Sequence, residues 1–437
     1  MKHIYKHLTL YSLLFSLLLS FIVYSLLGVY VDDKMKIFNM SYHIENINGE
    51  EVYVITRLDA EVKIPSDFEN IVFHINGDNN SASSIKVDKK NPNYYSKGNC
   101  VIEKNTNKLL MTCYNSIITN DIKVINCRAL TSYSSDQHVS IKYDGTANDW
   151  LNIEFELEEN FWAIKNPLVD ILFNNSGNYE ELEYVNIPEG TIKIDSHRFQ
   201  YFSSIREVVI PSSLQEIGDY AFYGCTKLKK INLNEGLIDV GTHAFADCTS
   251  LENINIPNSL TYLSSQMFWK CTSLKDIELH NNLKKISVQA FYKCPLEEVY
   301  VPESVQIIES YAFDECHSLK KITLPFIGKS RDNTGVENVT VWYIFGGSYY
   351  YSETKPKSLT EIVLYGDAVI REDYFENCKQ FKKIYLLDNV KVVSDEAFTN
   401  YYGNWDCTVY CEVENIPSDW SSNWNQYIEN VVWGYKE

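Results

Sequence analysis

The sequence predicts an α/β solenoid: a right-handed stack of coils with a parallel β-sheet along one face and short strands and helical turns along the other. Three observations predict it. Phe199, Phe222, Phe245, Phe268, Phe291 and Phe313 are spaced by 23, 23, 23, 23 and 22 residues, and the phase resumes at Phe375 and Phe398. Ala usually precedes the Phe (Ala221, Ala244, Ala290, Ala312, Ala397), and Cys225, Cys248, Cys271, Cys294, Cys316 and Cys378 each follow one by three residues. An apolar triplet comes next, such as Leu228, Ile231 and Leu233, or Leu251, Ile254 and Ile256. A repeat with a period in the twenties is one supersecondary unit that buries its apolar side only by stacking.

Each part of a coil follows from its residues. Ile231 and Leu233 are two apart, so both point inward from a short strand. Pro211, Pro257, Pro302 and Pro325 stand where such strands end, where a missing N–H costs least. About seven inward side chains at roughly 1.5–3 kcal/mol each do not offset the ordering of a whole coil at about 1–2 kcal/mol per residue. A single coil therefore does not fold, and the array needs a cap at each end.

Composition bounds the function. The 437 residues are 45% apolar and 22% charged, enough for a large core. A net charge of -19 opposes nucleic acid and anionic membrane surfaces as main partners. At the N-terminus, Lys2 and Lys6 precede Leu8 to Val31, 24 residues without a charge, and Asp32 and Asp33 follow. About 20 apolar residues span a bilayer, and the flanking charges place the short N-terminus inside and the rest of the chain outside. The segment reads as an uncleaved signal anchor, with a cleaved signal peptide and a secreted product as the alternative.

The frame resembles the BspA-like subclass of leucine-rich repeats, whose pattern is LxxIxLPxxLxxIgxxAFxxCxx. One copy runs Ile205, Val208, Ile210, Pro211, Leu214, Ile217, Gly218, Ala221, Phe222 and Cys225. The likeness extends in weaker form upstream, with Ala129 and Leu130 in the Ala–Phe place and KYDGTANDW at residues 142–150 matching a segment common in such proteins. It implies a leucine-rich repeat fold over roughly residues 41–434, and a surface protein that attaches to protein or glycan ligands.

Two departures interrupt the array. Phe313 and Phe375 are 62 residues apart, and the stretch from Phe326 to Lys357 is rich in Gly, Ser and Tyr; it reads as a structural detour, with a binding loop as the alternative. Beyond Phe398 the frame ends, and Trp405, Trp420, Trp424 and Trp433 read as a cap, with a carbohydrate platform as the alternative. The chain thus divides into an anchor or signal segment at 1–31, irregular repeat-like coils at 32–170 and regular repeats at 171–325. An insertion at 326–357, resumed repeats at 358–400 and the Trp-rich cap at 401–437 complete it.

The frame cysteines recur at one place per coil and read as a column of buried free thiols. Disulfides among Cys100, Cys113, Cys127, Cys407 and Cys411 stay open. Among the nine histidines there is no HExxH, and the chain holds neither a GxSxG elbow nor a GxxxxGK loop, so the reading is non-enzymatic, without metal or cofactor. His243, His280 and His317 fall at different phases and read as surface residues.

The outward strand positions form the expected binding face. Lys229, Glu252, Lys275, Glu297 and Lys320 alternate in sign along one column, which suits a self-neutralised face. The next column, Val209, Asn232, Asn255, Glu278, Tyr300, Thr323, Val363 and Tyr385, grows aromatic toward its end. Tyr300, Lys320, Thr323, Tyr365 and Tyr385 are the candidate ligand-binding residues, since tyrosine offers area and a hydroxyl together. The functional expectation is an extracytoplasmic protein, tethered only through its N-terminal segment, that binds a protein or glycan in adhesion. The alternative is a self-associating structural protein of the cell envelope.

Overall fold

The computed structural model describes residues 35–37, 39–75, 79–126, 128–130, 138–156, 169–331, 340–346, 356–372, 374–375, 378–398 and 405–436. The N-terminal apolar segment, Cys127 and much of the 326–357 stretch lie outside them. No helix among the described residues is long and apolar enough to cross a membrane.

Each regular coil lays down two strands and a corner. In the main sheet Tyr184–Asn186, Glu207–Val209 and Lys230–Ile231 pair in parallel. After a break, Glu298–Tyr300, Lys321–Leu324, Glu361–Leu364, Lys383–Leu386, Trp405–Cys411 and Ile428–Trp433 form a six-stranded parallel sheet. Register advances one coil per strand, so that Val299, Ile322, Ile362, Ile384 and Val409 stack as one buried inward row. Two-residue strands such as Glu216–Ile217 and Asp239–Val240 build the second sheet, also in parallel.

The corner carries the Phe column. Phe222 and Phe245 stack with centroids 5.5 Å apart and planes 2° from parallel, and the series from Phe199 to Phe313 is wholly buried. Tyr220, Phe222 and Gly224 donate their N–H groups to Thr242, Ala244 and Ala246 of the next coil at 2.9, 2.8 and 2.9 Å. The intervening Ala221, Tyr223 and Cys225 donate back to Gly218, Tyr220 and Phe222. This alternation holds because Tyr220 and Gly224 sit at φ 56° and 72°, left-handed positions that no helix contains. The expected helical turns are accordingly replaced by tight corners. Among the described residues the helical elements are Ala147–Leu151 and the 3₁₀ turn Val341–Phe345. Gly218 is needed for close approach, since a Cβ there would lie 2.4 Å from Ser196 N of the preceding coil.

The corner also absorbs part of the 326–357 stretch. Phe313 donates its N–H to Ile344 O at 2.9 Å, so Ile344 and Phe345 occupy the Ala–Phe place of an enlarged coil. Phe345 is fully buried, and the Lys321–Leu324 strand pairs directly with Glu361–Leu364. The stack therefore runs through this stretch, at spacings of 32 and 30 residues that hide the frame.

The N-terminal region departs most from a coil. Met40–Ile47 and Glu50–Ile64 form an antiparallel hairpin around Asn48 and Gly49, both left-handed, over a separate apolar core that includes Leu58, Phe68 and Met111. Ala129 and Leu130 are fully buried. At the start of the array Arg198 stands in the Ala place before Phe199, with its side chain 1% exposed. Among the described residues no preceding corner donates to its carbonyl, which instead takes Trp150 Nε1–H at 3.0 Å. Its guanidinium donates to Trp150 O at 2.7 Å, to Ile153 O and to Asp195 Oδ2 at 2.7 Å. At the other end Trp405, Trp420 and Trp424 are buried, the last two edge to face at 5.3 Å, which leaves these rings no free face for a carbohydrate platform.

The frame cysteines are buried free thiols, as are Cys100, Cys113, Cys407 and Cys411. The frame thiols from Cys225 to Cys316 each reach back one coil: Cys248 Sγ donates to Phe222 O at 3.3 Å and Cys271 Sγ to Phe245 O at 3.1 Å. Burial pushes both thiols well up, so the reactive thiolate is suppressed. The folded chain is expected to leave Cys248 and Cys271 unlabelled by a maleimide at mildly alkaline pH, read by peptide mapping. Labelling faster than global unfolding would contradict this.

Candidate functional site

The strand register brings the outward column together as a row: Tyr300 lies beside Thr323, Thr323 beside Val363, Val363 beside Tyr385, and Tyr385 beside Tyr410. Within it the tyrosines form two groups. Tyr365 follows the Glu361–Leu364 strand where other coils carry proline, so its side chain is outward. Its ring stacks on Tyr300 at 5.4 Å and 27°, and its hydroxyl donates to Val301 O at 2.8 Å. Burial first, and the neighbouring Tyr300 hydroxyl second, push the Tyr365 hydroxyl up, so it stays a donor. Tyr300 itself is 51% exposed.

The second group is Tyr385, Tyr410 and Tyr435. Tyr385 stacks on Tyr410 at 4.9 Å and 18°, and Tyr435, beyond the last strand, packs on both at 5.2 and 5.3 Å. The chain's own C-terminal segment covers these rings, so they offer less to a ligand than Tyr300 does. Tyr410 and Tyr435 were not singled out from the sequence, because the Phe frame that aligns the columns stops at Phe398.

Lys320 stands apart from both groups. Its Nζ pairs with Glu297 Oε2 at 2.7 Å, with both side chains exposed, and the hydrogen bond and charge of Glu297 raise the lysine's pKa. The alternating column thus neutralises itself at this pair, as also at Arg206 and Glu183, 3.4 Å apart.

Two hollows flank Tyr300. One, of about 580 Å³, is lined by Asn281, Lys284, Glu303, Ser304, Gln306 and Arg331 besides Tyr300. The other, of about 610 Å³, lies along Asp276–Asn281 and Glu298. Among the described residues no group of three or more His, Cys, Asp or Glu side chains is arranged to hold a metal ion. Asp314, whose carboxyl burial pushes up to about 6, lies on the Phe corner beneath Gly346 and outside both hollows.

His243, expected at the surface, is only partly exposed. It occupies a left-handed corner position and stacks on Tyr220 at 4.5 Å and 10°, and Tyr220 stacks on His197. Burial lowers its pKa to about 4, against a smaller opposing effect of Asp219. The folded state therefore binds this proton less readily than the unfolded chain, and His243 contributes stability that is lost as pH falls from about 6.5 to about 4. Asp314 works in the opposite sense, so the measurement is a difference. Urea midpoints of the parent should fall faster with acidification than those of His243→Gln, and parallel curves would contradict this.

A family model described as BspA type leucine rich repeat region matches in six copies over residues 171–296, 284–333 and 347–430. No curated protein matches the chain. A solved leucine-rich repeat protein from Bacteroides ovatus is 17% identical, with 92% of each chain covered and a TM-score of 0.40. Another from Eubacterium ventriosum is 16% identical, with a TM-score of 0.32, and the match covers 68% of this chain and 61% of that one. A leucine rich cell surface protein from Faecalibacterium prausnitzii is 15% identical, with 92% and 95% covered and a TM-score of 0.33.

Proposed function

The chain belongs to the BspA-type leucine-rich repeat family, and from that premise we propose that it is a non-enzymatic extracytoplasmic binding protein, held at the cell surface by its N-terminal segment. Its ligand is an extracellular protein or glycan, taken on the main-sheet face at Tyr300, Thr323 and Tyr365, and its role is adhesion. The observation that carries this reading is the Tyr300 ring, 51% exposed and backed by Tyr365. A fixed aromatic ring offers contact area at little cost in side-chain entropy. The uncharged stretch from Leu8 to Val31 supports the surface location.

Binding of the full chain in detergent micelles to immobilised matrix proteins and glycans tests this reading. Saturable binding that weakens at least tenfold in Tyr300→Ala is expected. No saturable binding by the parent, or binding indifferent to Tyr300, would overturn it. One observation favours self-association as a second reading: among the described residues, no strand pairs with the outer edge of Ile428–Trp433 in the six-stranded sheet. Sedimentation velocity over a concentration series separates the two, because only self-association raises the sedimentation coefficient without added ligand.

A further inference from the structure

We propose that the trough centred on Tyr300 takes a neutral oligosaccharide; this rests on the sheet-face reading above and narrows its ligand to one class. The trough exists because the main sheet is broken. Lys230–Ile231 ends one sheet and Glu298–Tyr300 begins the next, with two coils between them that form no ladder. On the near side of the break a side chain replaces the ladder: Asn255 Oδ1 accepts Leu233 N–H at 2.9 Å and Asn255 Nδ2 donates to Leu233 O at 2.7 Å. Between Asp276–His280 and Glu298–Val301 no main-chain hydrogen bond forms, and the last one before the gap is Glu297 N–H to Lys275 O at 3.2 Å. Peptide edges are therefore left open along one hollow.

The polar groups around the break suit hydroxyls. Asp276, Glu278 and Glu298 line the hollow of about 610 Å³ as acceptors, and Asn258 and Asn281 can both donate and accept. His280 lines it too, and its Nδ1 accepts Asn282 N–H at 3.1 Å. On the other side of Tyr300, Arg331 is fixed by donating to Glu303 O and to Val305 O, and Lys284 adds a second cation. Both hollows fall within the range of about 300–1,000 Å³ usual for small-ligand sites. The Tyr300 ring stands between them, its tilt set by Tyr365, whose hydroxyl is tied to Val301 O at 2.8 Å. An apolar ring face between two polar hollows matches the C–H face of a pyranose with hydroxyls around its rim. Three carboxylates on one side disfavour a uronic acid or a sulfated sugar there.

The test is calorimetric titration of the full chain, in a detergent without a sugar headgroup. The probes are tetrasaccharides of glucose, galactose and N-acetylglucosamine, with sulfated and uronate tetrasaccharides as the charged set. Saturable heat with a neutral probe is expected, at least tenfold weaker in Tyr300→Ala, largely restored in Tyr300→Trp and unchanged in Tyr184→Ala, a change at an exposed tyrosine elsewhere on the array. Circular dichroism of Tyr300→Ala verifies that it is folded. Preference for the charged set, or a neutral affinity indifferent to Tyr300, overturns the proposal. Tyr300-dependent capture of a matrix protein with no heat from any sugar overturns it too, while leaving the sheet-face reading in place. No ligand of either kind removes both.

Discussion

Replacing Phe268 by alanine is expected to cost about 3–5 kcal/mol, the range for deleting a buried aromatic ring. Phe268 is fully buried and stacks between Phe245 at 6.0 Å and Phe291 at 5.6 Å, with planes 12° and 17° from parallel. Its main chain is also a link in the corner, since its N–H donates to Ala290 O at 2.9 Å and its carbonyl takes the Cys294 thiol at 3.1 Å. The cavity opens between two coils, and in a linear array the nearest-neighbour interfaces carry the stability. Loss should therefore appear on both sides of the site. Urea unfolding of the full chain gives the magnitude, and amide exchange should speed up in the coils that carry Phe245 and Phe291 before it does at Phe398. A loss below about 0.5 kcal/mol, the scale of a surface change, would mean that the Phe column does not hold the coils together.

The second large effect is expected at the head of the array. Corner hydrogen bonds run one way, from each coil's N–H to the next coil's carbonyl, so the first coil presents a carbonyl with nothing before it. Trp150 Nε1 supplies the missing donor to Arg198 O, and Arg198 returns two bonds to Trp150 O and Ile153 O. Trp150→Ala removes a fully buried ring and leaves that carbonyl orphaned, for about 4 kcal/mol or more. Arg198→Met leaves the Ile153 carbonyl without a donor, takes one of the donors from Trp150 O, which keeps the Ile153 N–H at 3.3 Å, and forfeits the contact of the guanidinium with the Phe155 ring at 4.5 Å, about 3 kcal/mol in all. The two residues share one network, so the double variant should lose clearly less than the sum. A strictly additive pair, measured by urea unfolding, would contradict the interlock.

The repeating part of this architecture was legible because one coil must bury the same set of side chains as the next. Phe199 to Phe313, the thiols three residues after them and the strand residues beside them all occupy the places that their spacing assigned. Legibility fails where one coil differs in length. Ile344 and Phe345 stand in the Ala–Phe place, yet the longer run of sequence on either side and an isoleucine for alanine remove both the period and the frame. The corners were read as helical because periodic apolar residues do not reveal φ, and the left-handed residues there, such as Tyr220, His243 and Lys270, share no side-chain type. The hairpin at Asn48–Gly49 did carry a local signal, since that dipeptide is the strongest short marker of a tight hairpin.

The candidate site was legible to the extent that it follows strand register. Tyr300, Thr323 and Tyr385 lie in the row that the repeat frame assigned to them. Tyr365 was singled out as a tyrosine near the strand face, but its reach over 64 residues to Val301 depends on its standing where proline ends other strands. Lys320 was selected by its column and is engaged by Glu297 of the preceding coil. Arg331, Asn281 and the gap in the sheet depend on how neighbouring coils separate, which no residue pattern records.

The most direct test of a Tyr300-centred binding face is radical footprinting of the tyrosines in the full chain, with and without whichever protein or glycan binds it best. Protection of Tyr300, with Tyr184 unchanged at its free-chain oxidation rate, is the predicted result. Tyr184 is the more exposed of the two, at 65% against 51%, so it reports any general shielding. Protection of Tyr184 with Tyr300 still oxidised at its free-chain rate would move the ligand away from Tyr300, toward the start of the array, and contradict the reading.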